Sequence, residues 1–350
     1  MPTSTIADLT ADRVVYRDLE PCDPALPGLS ALAPGLGLAP GEIPRKRDAA
    51  YARVVLALAE AAQAGRGGPP LRSLAVIGDT ENDRLLAVHA RGLGALPVFG
   101  FIGLERPGAA PCLAWDGDTA DAIGWASLDS WAAELERRGV DWAGCALLID
   151  IDKTLLGPRG RSDRAIDDAR AEGAVAVAAD LLGPRLDPGA FRAAYDELCR
   201  KPWHPFTLDN QDYVVATALL ALSGAVDLDA LRAAVSAGAP PSFLAMLDGA
   251  AARVPAGLAP LHAELRERAA AGDPTPFKAF RRAELVATVA RMADGRLPIC
   301  AELFELGSRL AARGALCLAA SDKPAESALP TAAQAAAGMR PLHHTPAALR

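Results

Sequence analysis

The stretch Cys145 to Gly157, CALLIDIDKTLLG, constrains this chain most. An apolar run, Ala146 to Ile149, ends on Asp150, and Asp152, Lys153 and Thr154 follow. A short apolar run bounded in this way reads as a buried strand feeding a loop. Strand side chains alternate, so Asp150 and Asp152 start on one face at the strand's carboxyl end. That end is where open α/β sheets hold their ligands. Two carboxylates crowded at a buried rim repel each other unless a cation sits between them, and Mg²⁺ takes one or two carboxylates together with phosphate oxygens. The competing reading is a strand-end turn carrying two solvated acids.

Other strands repeat the pattern. Leu74 to Ile77 runs into Gly78 and Asp79, with Asp83 four residues on at the start of a helix. That spacing stacks the two carboxylates over one spot, although an N-cap at Asp79 or Thr80 with Asp83 facing the helix dipole explains the same residues. Further strands are expected at Pro97–Ile102 and Ala315–Ala319, the latter followed by Ser321 in ASDKP. Helices are expected after Pro44 and over Ser127–Arg138. Strand–helix alternation at this spacing predicts a parallel sheet. From Gly157 to Leu297 helical periodicity dominates, with Pro and Gly breaks, which marks a helical insertion of domain size. Residues 1–44 read as a Pro/Gly-rich arm with a short strand at Val14–Tyr16. The tail is expected to hold a short helix and a strand at Met339–Leu342.

Composition excludes several partner classes. The chain of 350 residues is 51% hydrophobic and 23% charged, enough for a large core. Its net charge is -7 with no dense Lys/Arg tract, which argues against a nucleic-acid or anionic-membrane surface. No apolar run approaches the ~18–20 residues of a membrane helix, and the N-terminus has no signal-peptide core. The six cysteines form no CxxC pair, so a reducing cytoplasm fits best.

Four pieces together resemble the haloacid dehalogenase superfamily of phosphotransferases: DIDKT (Asp150–Thr154), ASDKP with Ser321, Lys46 before a helix, and GDTEND with Asp79 and Asp83. They look like that family's first, second, third and fourth motifs. Here the third and fourth precede the first and second, as if the family's ends were joined and the chain cut between its second and third motifs. Nearby termini make such a circular permutation physically inexpensive. The resemblance implies a three-layer Rossmann-like core over 45–156 and 298–350, and a helical cap domain over 157–297.

It also implies roles. Asp150 would be the nucleophile, forming an aspartyl-phosphate, and Asp152 the general acid and base. Mg²⁺ would be held by Asp150, the Asp152 backbone carbonyl, Asp79 and Asp83. Ser321 and Lys46 would bind a phosphoryl oxygen, and Thr154 would tie the loop, a simple turn hydroxyl being the alternative. Lys153 and Lys323 are rival cations. A large cap implies a small-molecule phosphate monoester as substrate. Arg159 and Arg161 are candidate contacts to an anionic leaving group, with surface arginines the plainer reading. His204, Asn210, Gln211 and Asp212 are further candidate substrate contacts, although an N-cap at Asp209 or Asn210 explains part of that stretch. Transfer of the phosphoryl group to another alcohol, a non-catalytic phosphate- or metal-binding module, and a receiver domain are the alternatives. A receiver is much shorter than this chain.

Overall fold

A computed structural model describes residues 2–39 and 41–350. It is an α/β protein with nine strands among the described residues: β1 Thr3–Ser4, β2 Val14–Val15, β3 Ser73–Gly78, β4 Val98–Leu104, β5 Cys112–Asp116, β6 Thr119–Ile123, β7 Cys145–Ile149, β8 Leu316–Ala320 and β9 Ala347–Ala348. Seven of them form one sheet in the order β2-β8-β7-β3-β4-β6-β5, and β1 pairs with β9 in a small antiparallel sheet. Within the large sheet every pairing is parallel except β5 with β6.

The central strands β3, β7 and β8 are buried along their whole length, as the continuous apolar runs require. Their alternate residues face different layers. Leu74, Val76, Leu148 and Leu318 pack with Val54, Leu58 and Leu86, from the helices Ala49–Gly65 and Glu81–Gly92. On the other side Trp131, from the helix Ser127–Arg137, stands edge-on to Phe101 of β4 at 5.6 Å between ring centroids. Cys317 of β8 lies beside Gly307 of the helix Ala301–Ala312.

The chain divides into two compact units, Met1–Asp167 with Thr288–Arg350, and Asp168–Ala287. The second is all helical, as its periodicity predicts. Its core gathers Phe191, Trp203, Phe206, Leu219, Phe277 and Phe280. It also buries an ion network: Arg281 pairs with Asp212 at 2.5 Å and Glu284 at 2.9 Å, and Arg170 reaches Glu284 at 3.1 Å.

Three readings are corrected, and one element is new. The helical unit is shorter than 157–297 at both ends. The described residues of 1–44 form no separate arm: β2 joins β8, and Ile6, Leu9, Tyr16, Leu19 and Leu29 are buried in the sheet-bearing unit. No strand forms at Met339–Leu342, where Pro341 has no N–H for a ladder; Leu342–His344 is a 3-10 turn, and the strand comes later, at β9. The hairpin β5–β6 was not foreseen. It turns through Gly117 and Asp118, with Gly117 at a φ of 59°. Among the described residues no helix is long and apolar enough to cross a membrane.

Candidate active site

The parallel register decides which side chains meet. Ile149 of β7 lies opposite Ile77 of β3 and Ala319 of β8. Asp150, one residue on, and Asp79 and Ser321, two residues on, are thereby carried to the carboxyl edge of the sheet on three adjacent strands. The Asp150 N–H donates to the Ile77 carbonyl at 2.9 Å, so the ladder extends into the loop and fixes where this carboxylate starts.

Lys46 lies just before the helix Ala49–Gly65 and is buried. Its Nζ donates to Asp150 Oδ1 at 2.5 Å and to Asp83 Oδ1 at 2.9 Å. Asp83 uses its other oxygen, Oδ2, to cap its own helix. It accepts from the Asp79 and Thr80 N–H groups at 3.2 and 3.0 Å and from the Thr80 hydroxyl at 2.7 Å. The two oxygens thus divide between the helix cap and Lys46. Asp79 accepts from Thr154 Oγ1 at 3.2 Å and from the Arg159 guanidinium. Thr154 thus serves the acid cluster with its side chain.

The loop after β7 has its own framework. Lys153 sits at a φ of 64°, a left-handed conformation that costs a non-glycine residue about 1–2 kcal/mol. The bend lets the Lys153 N–H reach the Leu156 carbonyl at 2.8 Å, and the Lys153 carbonyl accept from Arg159 N–H at 2.7 Å. The Lys153 ammonium turns to Asp167 at 2.8 Å. Lys323, from the ASDKP loop, reaches Asp152 Oδ2 at 3.0 Å, and its N–H donates to Ser321 Oγ at 3.2 Å. Of the two rival lysines, Lys323 is the one bonded to a motif acid.

One carboxylate oxygen each from Asp79, Asp83 and Asp150 lies within 4.8 Å of the other two. Such crowding has electrostatic consequences. Burial, reinforced by Asp83 and Asp79 and opposed by Lys46, pushes Asp150 well above the ordinary carboxylate range. Burial, opposed by Arg159 and reinforced by Asp83, raises Asp79 to about 6. Burial also opposes the Asp83 charge, but Lys46 and the Thr80 hydrogen bonds outweigh it and hold that pKa low. At Lys46 burial works against the ammonium, and Asp150 and Asp83 overcome it. An all-oxygen donor set of this kind suits a hard cation.

The other expected residues have identifiable partners. Arg161 pairs with Glu105 at 2.6 Å and Glu302 at 2.7 Å. In the helical unit, Asn210 caps the helix Gln211–Leu222, accepting from Asp212 N–H at 3.1 Å, and its Nδ2 donates to the Pro274 carbonyl. Gln211 accepts from the Tyr195 hydroxyl at 2.8 Å, and His204 lies 3.7 Å from Asp209 at the surface. Tyr51, one turn past Lys46, escaped the sequence reading. It is fully buried and interacts electrostatically with Lys46, Asp150 and Asp83, while its hydroxyl has no hydrogen-bond partner. Its position five residues after Lys46 was the available signal.

No protein-family model, curated protein or solved structure matches the chain.

Proposed function

We propose that the chain is a circularly permuted member of the haloacid dehalogenase superfamily. In this reading it is a Mg²⁺-dependent phosphohydrolase acting on a small-molecule phosphate monoester. The observation that carries the reading is the convergence of Asp79, Asp83 and Asp150 on one another at the carboxyl edge of the sheet, with Lys46 bonded to Asp83 and Asp150. Segments from positions 46 to 150 supply these groups, and the motif order in the chain is irrelevant to where the sheet delivers them.

Asp79, Asp83 and Asp150 would hold the ion, with the Asp152 carbonyl added by the family resemblance. Bound Mg²⁺ would offset the repulsion between the nucleophile and the phosphate. Lys46 fixes Asp150 by Oδ1 and leaves Oδ2 to attack phosphorus in line. The bond from Oδ2 to phosphorus forms as the bond to the leaving oxygen breaks, and Asp152 gives that oxygen a proton. Asp152 then takes a proton from the water that cleaves the aspartyl-phosphate, returning free Asp150 and inorganic phosphate. Lys323 orients Asp152 for both steps. Ser321 Oγ already accepts from Lys323 N–H, so its own proton is available to a phosphoryl oxygen.

Hydrolysis of a generic aryl phosphate with Mg²⁺ tests the reading. Asp150→Asn should reduce turnover by at least about 10³-fold. An Asp150→Asn protein with full activity removes the assignment. Product analysis with competing alcohols separates hydrolysis from transfer.

A further inference from the structure

We infer that Asp12, His343 and His344 form a site for a borderline divalent transition ion, with zinc as its type, built from residues the proposed phosphatase chemistry does not use. Asp12 lies between the helix Ile6–Thr10 and β2, and the two histidines end the 3-10 turn that precedes β9. The β1–β9 pairing and the Leu349 N–H to Pro2 carbonyl bond at 3.0 Å hold these distant segments together.

Both imidazole Nε2 atoms converge on one carboxylate oxygen. His343 Nε2 is 3.4 Å and His344 Nε2 2.7 Å from Asp12 Oδ1. One ligand atom from each residue lies within 4.8 Å of the other two. A tetrahedral ion with bonds near 2.0–2.1 Å spaces its ligand atoms roughly 3.3 Å apart. The Asp12–His343 separation already has that value. His344 would retreat by about 0.6 Å to reach it, which a half-exposed ring can do by rotation.

The outer partner is also in place. The Tyr16 hydroxyl is 3.2 Å from His343 Nδ1, the ring nitrogen that does not face Asp12. Metal-bound histidines commonly use the second ring nitrogen in this way, which fixes tautomer and ring orientation. Tyr16 and His343 are both buried, so this half of the site is rigid. Asp12 and His344 are half-exposed and leave a path for the ion and a water as fourth ligand. Two imidazoles with one carboxylate select zinc, cobalt or nickel over magnesium, unlike the all-carboxylate cluster.

The test is calorimetric titration of Zn²⁺ into the untagged, chelator-stripped full chain, with excess Mg²⁺ to compete at the carboxylate cluster. One equivalent should bind more tightly than about 10 µM and raise the melting temperature by several degrees. His344→Ala and Asp12→Asn, each checked for native circular dichroism, should weaken binding at least about tenfold, and Asp79→Asn should leave it unchanged. Weaker wild-type binding, or undiminished affinity in either variant, overturns the site. Because the readout is zinc binding, the result is independent of phosphatase activity.

Discussion

At the scale of residues, Asp79 makes a prediction with a definite sign. Its carboxyl in the folded chain titrates near 6, against 3.8 for an ordinary aspartate. The folded state therefore holds that proton more tightly than the unfolded state. Between about pH 4 and pH 6 the contribution of Asp79 to stability falls as the pH rises, and above that window it is constant. Urea unfolding in chelator should show wild-type stability declining relative to Asp79→Asn across the window; a relative increase contradicts the burial argument. A bound divalent ion needs the ionised form, so its affinity should grow over the same interval. The lysines give a second prediction. Lys46→Met leaves Asp150 and Asp83 without their shared cation and should cost about 10²–10³-fold in turnover. Lys153→Gly should be near wild type in turnover and gain up to ~1 kcal/mol, because glycine accepts the left-handed backbone. Aryl phosphate kinetics and denaturant melts check both. Asp79 and Asp150 were legible because each follows an apolar run, and Asp83 and Asp152 by their spacing from those two. The attachment of Lys323 to Asp152 and of Arg159 to Asp79 was not, since each joins residues far apart in sequence and depends on strand register.

Between the residues and the whole lie the elements, where the loop after β7 makes the sharpest case. Gly160 has a φ of 82°, and a Cβ added there would overlap the Glu105 carbonyl at the end of β4. That proximity lets the Arg159 carbonyl accept from Glu105 N–H at 2.9 Å, which sets the segment from which Arg159 reaches Asp79. Gly160→Ala should therefore lose about 2–4 kcal/mol, overlap added to the left-handed penalty. Gly67→Ala, at a φ of 67° with open space around it, isolates the backbone penalty alone. Equal losses in urea melts would show that the Glu105 overlap relaxes freely. Elements with strong contrast were readable: the continuous apolar β3, β7 and β8, and helices such as Ser127–Arg137 with one apolar side. The helix Arg164–Leu182 was not picked out, because its many alanines give no contrast between faces. The hairpin was missed although Gly117-Asp118 stands between its strands; its exposed strand β5 carries too few large apolar residues to announce itself.

For the molecule as a whole, the helical region was legible as a block, and its limits were not. The division falls inside the helices Arg164–Leu182 and Lys278–Ala293, so no break in composition marks it. Nor does a linear reading reveal that β2, near the beginning, completes the sheet beside β8, near the end. Two separate apolar cores make one unfolding free energy an incomplete description. Arg281 provides a local probe of that separation. Replacing it by Met strands the buried carboxylate of Asp212 and removes one of the two arginines on Glu284, and should cost about 3–5 kcal/mol within the helical unit. Hydrogen exchange should then show lost protection in the helices Pro188–Leu198 and Gln211–Leu222, with β3 and β7 nearly unchanged. Equal loss in the strands would mean that the two cores unfold as one cooperative body. Replacing Asp212 and Glu284 by Leu alongside Arg281→Met removes the buried carboxylates, leaves Arg170, which is partly exposed, to turn to solvent, and should restore most of the protection, because a packed apolar cluster can substitute for a buried ion network. Failure of that triple variant to recover would locate the cost in lost packing around Arg281 instead of in unpaired charge.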